Sequence, residues 1–99
     1  MTAPRRMTRM LNLGDELRIC GVLKSIFQRS GETTGWVIEV DDTVQIEKQT
    51  VAFLEVDYEV ARCSEFRDKR VEAAGHLKSE WGPQRGIRPV LQVEAMREI

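Results

Sequence analysis

One aromatic ring and five bases, drawn from two parts of the chain, form a candidate ligand-binding set. These residues are Lys24, Arg29, Lys78, Trp81, Arg85 and Arg88. An indole ring can stack on a nucleobase while a neighbouring cation binds its phosphate. The alternative, which we expect, is that Trp81 packs over the rim of the fold and the bases are solvated or paired with acids.

Charge is distributed unevenly along the 99 residues. The chain has 15 Lys and Arg against 16 Asp and Glu, a net charge of -1. Residues 32–59 contain eight acids and a single base, Lys48, which gives this segment a net charge of -7. Neutralisation of phosphates dominates nonspecific affinity for nucleic acid, so the acidic segment argues against a nucleic-acid interface there.

Few residues are arranged for catalysis or metal binding. His76 is the only histidine and has no partner at local spacing that would make it a general base or a ligand. Four acids could offer oxygen ligands but lack the spacing of an EF-hand, and we expect a solvated acidic face. They are Asp41, Asp42, Asp57 and Glu59. With no nucleophile elbow or phosphate-binding loop, the sequence favours a protein that is not an enzyme and has no catalytic residues, metal or cofactor.

The two cysteines, Cys20 and Cys63, lie far apart and outside any zinc or redox spacing. We interpret them as buried thiols rather than a disulfide, because free cysteine is among the most buried residue types.

The candidate residues must be positioned by β-strands. Apolar and polar residues alternate over 17–28, with Gly21 in the middle, where a missing Cβ lets one strand serve both sides of a small barrel. A polar turn over 29–34 leads to a second strand, 35–40, in which Trp36 is expected to pack in the core or at its rim. Asp41 and Asp42 are predicted to end that strand, and more β-prone sequence follows over 43–46 and 51–56.

The period then changes to that of a short helix within 57–69, and two final strands are predicted over 70–78 and 87–96. Residues 79–86 contain two glycines and a proline and are predicted to form a loop. Pro89 marks its surroundings as a strand start or an edge. The order is therefore three strands, a short helix and two strands, which predicts an all-β, five-stranded OB-like Greek-key barrel with one short helix.

The last two strands resemble those of small bacterial OB-like domains of unassigned function. Such domains have a V-x-x-x-G-x-L strand, a loop and an R-P-x-L-x-V strand. The matching residues are Val71, Gly75 and Leu77, then Arg88, Pro89, Leu91 and Val93. The resemblance covers about residues 17–96 and implies a binding domain, since OB domains bind single-stranded nucleic acid, oligosaccharides or proteins.

We expect residues 1–14 to be a flexible basic tail and residues 15–99 to form the barrel. No apolar stretch follows the N-terminal arginines, so the sequence suggests a cytoplasmic protein without a membrane segment. The expected function is a small binding module for a protein or peptide, and exposed strand edges would also permit homodimerisation. The alternative is single-stranded DNA or RNA binding through the loops that join the first strand to the second and the fourth to the fifth, around which the candidate residues lie.

Overall fold

A computed structural model describes residues 10–27, 33–83 and 85–99. It contains six strands and one helix. The strands are β1 (Met10–Leu11), β2 (Glu16–Ser25), β3 (Trp36–Ile46), β4 (Gln49–Asp57), β5 (Arg70–Gly82) and β6 (Gly86–Glu98), and the helix is α1 (Val60–Glu65).

Strands β2 to β6 close into a barrel. β2 pairs with β3 and β5, β3 with β4, and β5 with β6, all antiparallel, while β4 and β6 close the ring as a parallel pair. The helix lies in the connection between β4 and β5. The predicted all-β barrel with OB-like strand order and one short helix is therefore confirmed, although the helix is shorter than the segment in which it was predicted.

Gly21 allows β2 to belong to both halves of the barrel. It pairs with Val40 of β3 and with Val71 of β5. A Cβ at this position would lie 2.1 Å from the carbonyl oxygen of Glu39. Only glycine permits the close approach of β3, which is the role that the sequence indicated.

The interior is filled by aliphatic side chains from every barrel strand. Leu23, Ile38, Leu54, Val71 and Leu91 are fully buried within it. Alternation of these residues with polar neighbours follows from the two-residue period of a strand. Trp36 is half-buried and packs against the edge of this core, as expected.

The ordered domain begins earlier than predicted. β1 pairs in parallel with the end of β3, and Leu11 is buried in the core. Leu11, which was predicted to be part of a flexible tail, therefore packs in the core, whereas residues 12–14 are exposed. Residues 1–9 of the predicted tail lie outside the described residues.

Asp41 and Asp42 do not end the second strand. β3 continues through them to Ile46, and its register with β4 shifts between Glu39 and Val44. Arg70 donates hydrogen bonds to both carboxylate oxygens of Asp41, at 2.8 and 2.6 Å. The strand therefore does not end at Asp41 and Asp42. Its irregular stretch lets both acids face solvent.

The predicted loop 79–86 is largely strand. β5 extends to Gly82 and β6 starts at Gly86, so β5 and β6 form a long hairpin with a turn between them. Gly86 has a φ of 70°, a left-handed conformation that suits glycine at the turn. The loop prediction was wrong because the glycines and Pro83 lie only at the tip of the hairpin. The residues on either side of the tip pair across the two strands.

Among the described residues, no helix is long and apolar enough to cross a membrane.

Candidate functional site

A cleft opens on the barrel between β4 and the end of the β5–β6 hairpin. β4 and β6 pair over only three positions, residues 55–57 with 90–92. Before these positions the two strands separate, and a cavity of about 430 Å³ lies between them. Residues 49–53 of β4 form one wall, Arg85, Arg88 and Pro89 form the other, and Ile26 and Val37 also line the cavity.

Pro89 accounts for the point at which pairing stops. It directly precedes Val90, the first β6 residue paired with β4. Proline has no backbone N–H to donate to a neighbouring strand. The prediction that Pro89 marks an edge is confirmed, since β6 has β5 on one side and the cleft on the other at this position.

The wall formed by β4 is an open strand edge. Residues 49–51 pair with β3 on one side, and within the described part of the chain no strand pairs with residues 49–53 on the other. Such an edge presents backbone donors and acceptors that can bond to an added strand.

Glu55 stands at the closed end of the cleft, next to its first pairing partner Val90. It is 5% exposed and binds two guanidinium groups: Arg88 Nε donates to its Oε2 at 2.5 Å and Arg85 Nη1 at 3.2 Å. The Thr34 backbone N–H donates to the other carboxylate oxygen at 3.3 Å. A buried carboxylate requires such partners, because an unpaired buried charge is strongly unfavourable.

Arg88 is not fully satisfied by this arrangement. The residue is 8% exposed and lines the cleft. Its Nη1 atom is buried and makes no hydrogen bond with any residue that the structure describes. Buried guanidinium nitrogens are normally hydrogen-bonded, so Arg88 Nη1 is an unused donor in a residue that lines the cleft.

Apolar side chains are exposed around the same region. Trp81 and Ile87 are cross-strand partners near the tip of the hairpin and are 69% and 73% exposed. Phe53, on the cleft-facing part of β4, is 55% exposed. We expected Trp81 to pack over the rim of the barrel, and this expectation is wrong. Trp81 lies near the tip of the hairpin, beyond the core, and is exposed.

The structure brings only part of the predicted ligand-binding set together. Arg85 and Arg88 meet at Glu55, while Trp81 lies on the opposite strand of the same hairpin, paired with Ile87. Lys24 lies on β2, with its Nζ 3.5 Å from a carboxylate oxygen of Glu39. Arg29 falls outside the described residues.

Lys78 is held by acids and an amide. Its Nζ donates to Asp57 at 2.6 Å and to Gln92 at 2.8 Å, and lies 3.0 Å from a Glu80 oxygen. The hydrogen bond to Asp57 raises the pKa of Lys78 above its ordinary value. The ammonium group is thus charged but already engaged.

Sequence reasoning missed Glu55 and Phe53 as site residues. Glu55 was counted only as one acid of the acidic segment, and Phe53 only as a β-forming residue. A usable signal was present: in the alternating run of 51–57, Phe53, Glu55 and Asp57 fall on the side opposite the buried Leu54 and Val56.

Other chemically capable groups lie outside the cleft. His76 Nδ1 is 3.0 Å from a Glu94 carboxylate oxygen on the exposed surface. Both cysteines are free; Cys63 is fully buried, whereas Cys20 is only partly buried. Within the described ranges, no group of three His, Cys, Asp or Glu side chains is placed to hold a metal ion.

Comparison of the chain with protein-family models, with characterised proteins and with solved structures found no match.

Proposed function

We propose that this protein is a peptide-binding module that adds an extended segment of a protein partner to the open edge of β4. The observation that carries the proposal is the cleft itself: residues 49–53 form a strand edge that no other described strand pairs with, and it faces a cavity of about 430 Å³. Strand addition uses the backbone bonds of such an edge for affinity and the neighbouring side chains for specificity. The OB-like strand order is compatible with this role.

The length and composition of the edge support a peptide ligand. Five residues of strand span about 17 Å, enough to pair with a short extended segment. Residues 49–53 carry no formal charge, and Phe53, Trp81 and Ile87 offer exposed apolar surface nearby. Aromatic residues at a surface are typical of protein contacts, whereas acids and lysines at an edge oppose strand addition.

The ion pairs weaken the case for nucleic acid. Of the bases that could bind phosphate, Lys24, Lys78 and Arg88 each lie beside a carboxylate. A phosphate would have to compete with these acids, and little counterion release would follow. Single-stranded nucleic acid remains the competing hypothesis because exposed Trp81 and the nearby arginine side chains have the right chemistry to stack a base.

The test is an affinity selection with synthetic peptides. The probe is a pool of N-terminally fluorescein-labelled hexapeptides with free C termini, randomised over Val, Ile, Thr, Ser, Phe and Glu. Protein-bound peptides are separated by gel filtration and identified by mass spectrometry, and the strongest is resynthesised for fluorescence polarisation. We expect saturable binding that changes less than about threefold between 50 and 500 mM salt, because backbone and apolar contacts are weakly screened.

A matched pair of variants tests whether the peptide binds at the open edge of β4. Ala52 has no register partner in β3, so Ala52→Pro removes an N–H from β4 without removing an observed cross-strand pair. We expect at least a tenfold loss of affinity in Ala52→Pro and none in Ala52→Ser. Trp81→Ser, at an exposed position, should weaken binding severalfold without unfolding the protein.

Three outcomes would overturn the proposal. The pool could yield no bound peptide, or the selected peptide could bind Ala52→Pro as tightly as wild type when circular dichroism shows that the variant is folded. A twenty-nucleotide oligo-dT could instead quench tryptophan fluorescence saturably, with loss of the effect in Trp81→Ala and at high salt; that result would favour nucleic acid.

A further inference from the structure

The cleft has one open and one closed end. It closes where β4 and β6 begin to pair, at Glu55 and Val90. A strand added along residues 49–53 cannot continue past this point, because β6 already occupies the edge of β4. An added strand must therefore end, or leave the sheet, beside Glu55 and Arg88.

An unused hydrogen-bond donor at the closed end favours an anion. Among the described residues that line the cleft, the charged ones are Glu55, Arg85 and Arg88. Glu55 Oε2 accepts from both arginines, and Arg88 Nη1 has no acceptor among the described residues. A carboxylate bound by Arg88 would give this donor a strong, charge-assisted hydrogen bond.

The apolar residues at the same end favour an aliphatic neighbour for that carboxylate. Val37 pairs directly with Glu55 and is buried, and Ile26 lines the cavity with it. A carboxylate flanked by an apolar side chain is the chemistry of a peptide C terminus ending in Val, Ile or Phe.

We propose that the cleft recognises the free C terminus of its partner, which lies parallel to β4 with its α-carboxylate bound by Arg88. This inference rests on the proposed peptide-binding function and specifies the ligand. The direction follows from the chain: β4 runs toward the closed end from Gln49 to Asp57, so only a parallel strand brings its C terminus there. An internal Asp or Glu would require the partner chain to turn out of the sheet at the same point.

The experiment compares one selected hexapeptide in three forms by fluorescence polarisation. The first has a free C terminus, the second a C-terminal amide, and the third an amide with Glu as its last residue. We expect the free acid to bind at least tenfold more tightly than either amide, because only the free acid ends in a charged acceptor beside Arg88 while the peptide stays in the sheet.

Variants of Arg88 connect the preference to this residue. We expect the preference for the free acid over the amide to be lost in Arg88→Gln, which removes the charge, and reduced in Arg88→Lys, which keeps a point charge without the guanidinium fork. Arg97→Gln is the matched control, since Arg97 lies farther along β6, is exposed and pairs with Glu72 outside the cleft. It should leave all three affinities unchanged.

The outcomes separate this inference from the function on which it rests. Equal binding of the free acid and the amide would overturn C-terminal recognition and leave peptide binding intact. Equal binding of the free acid and the Glu-ended amide would assign the site to a side-chain carboxylate and overturn the inference in the same way. Binding of no form would overturn both. If Arg88→Gln fails to fold, the affinities of the three peptide forms for the wild-type protein still decide whether the free C terminus is recognised.

Discussion

Glu55 shows how a single side chain organises the closed end of the cleft. It lies on the outer side of the barrel, yet Thr34, Arg85 and Arg88 cover it. Two arginine hydrogen bonds hold a carboxylate that burial alone would disfavour. The arginines were singled out in the sequence because basic residues near a tryptophan have recognisable chemistry. Their shared carboxylate was not, because Glu55 and Arg88 are 33 positions apart in the sequence and no local pattern pairs them.

Removal of Glu55 should be strongly destabilising. Glu55→Ala leaves Arg88 buried without its carboxylate, and we expect the free energy of unfolding to fall by about 3 to 5 kcal/mol. Glu39→Ala is the matched control, because Glu39 is partly exposed and pairs with Lys24 at the surface, where an ion pair contributes about 1 kcal/mol or less. Urea denaturation measures both. Equal losses would show that the Glu55 pairs are as weak as surface ones.

Cys63 should make stability fall at alkaline pH. Burial, together with the nearby Asp57 carboxylate, raises the pKa of its thiol from its ordinary value of 9.0 to about 11. Between these values the unfolded chain releases the thiol proton and the folded protein retains it, so the folded state loses stability as pH rises. We expect a loss of about 2 kcal/mol between pH 8.5 and pH 11 from this group.

The measurement is chemical denaturation across that pH range. Cys63→Ala should be less stable at pH 7 because it leaves a cavity, but it should show a flatter decline from pH 8.5 upward. Cys20→Ala should retain the wild-type decline. An unchanged slope in Cys63→Ala would assign the alkaline loss to other groups, of which Lys78 is the first candidate because its pKa is also raised.

At the scale of elements, the order of strands was predictable, but several of their ends were not. Alternation identified β2 and the first half of β3, because each has one face on the core. The end of β3 was misplaced at Asp41, since acids normally end strands, whereas here Arg70 holds Asp41 within an irregular stretch. The hairpin of β5 and β6 was predicted too short because its last pairs lie beyond the core and show no apolar alternation.

Gly75 is a position where two strands approach too closely for any side chain. A Cβ there would lie 1.9 Å from the carbonyl oxygen of Gln92 on β6. Gly75→Ala should reduce the free energy of unfolding by at least about 2 kcal/mol, because a strand must shift. Gly14→Ala, at a φ of 93° with open space around it, should cost about 1 kcal/mol. Thermal and urea unfolding compare the two, and a larger effect at Gly14 would contradict this account.

The short strand β1 should contribute to stability through Leu11. Leu11→Ala removes a buried side chain, and we expect a loss of about 2 to 3 kcal/mol. Leu13→Ala, at a residue 40% exposed, should have less than half that effect. Equal effects in urea denaturation would indicate that residues 10–14 behave as the tail predicted from sequence.

At the scale of the whole molecule, the barrel is closed by unequal seams. β2 and β5 pair over seven positions, whereas β4 and β6 pair over three. The strand order could be predicted because glycines, turns and a helix occur in an order that a small barrel accommodates. The cleft between β4 and β6 could not be predicted, because it depends on two strands that are distant in sequence and on the position of Pro89 relative to β4.

Hydrogen exchange should report the weak seam. We expect amides that bond across β4 and β6 to exchange through a local opening of lower free energy than those across β2 and β5. Measured exchange at residues 55–57 and 90–92 should therefore be faster than at 16–22 and 70–76. Bound peptide should slow exchange at residues 55–57 and 90–92. Uniform protection of both seams would indicate that the barrel opens only by global unfolding.

The open edge of β4 also bears on how the protein behaves when concentrated. Residues 49–53, QTVAF, are uncharged and contain no proline, which is the composition that favours edge-to-edge stacking into aggregates. Glu47 and Lys48 precede the segment and Glu55 follows it, in the positions of gatekeeper charges. The edge proposed to receive a partner is thus also one to which a second copy of the chain can add, and the flanking charges oppose that addition.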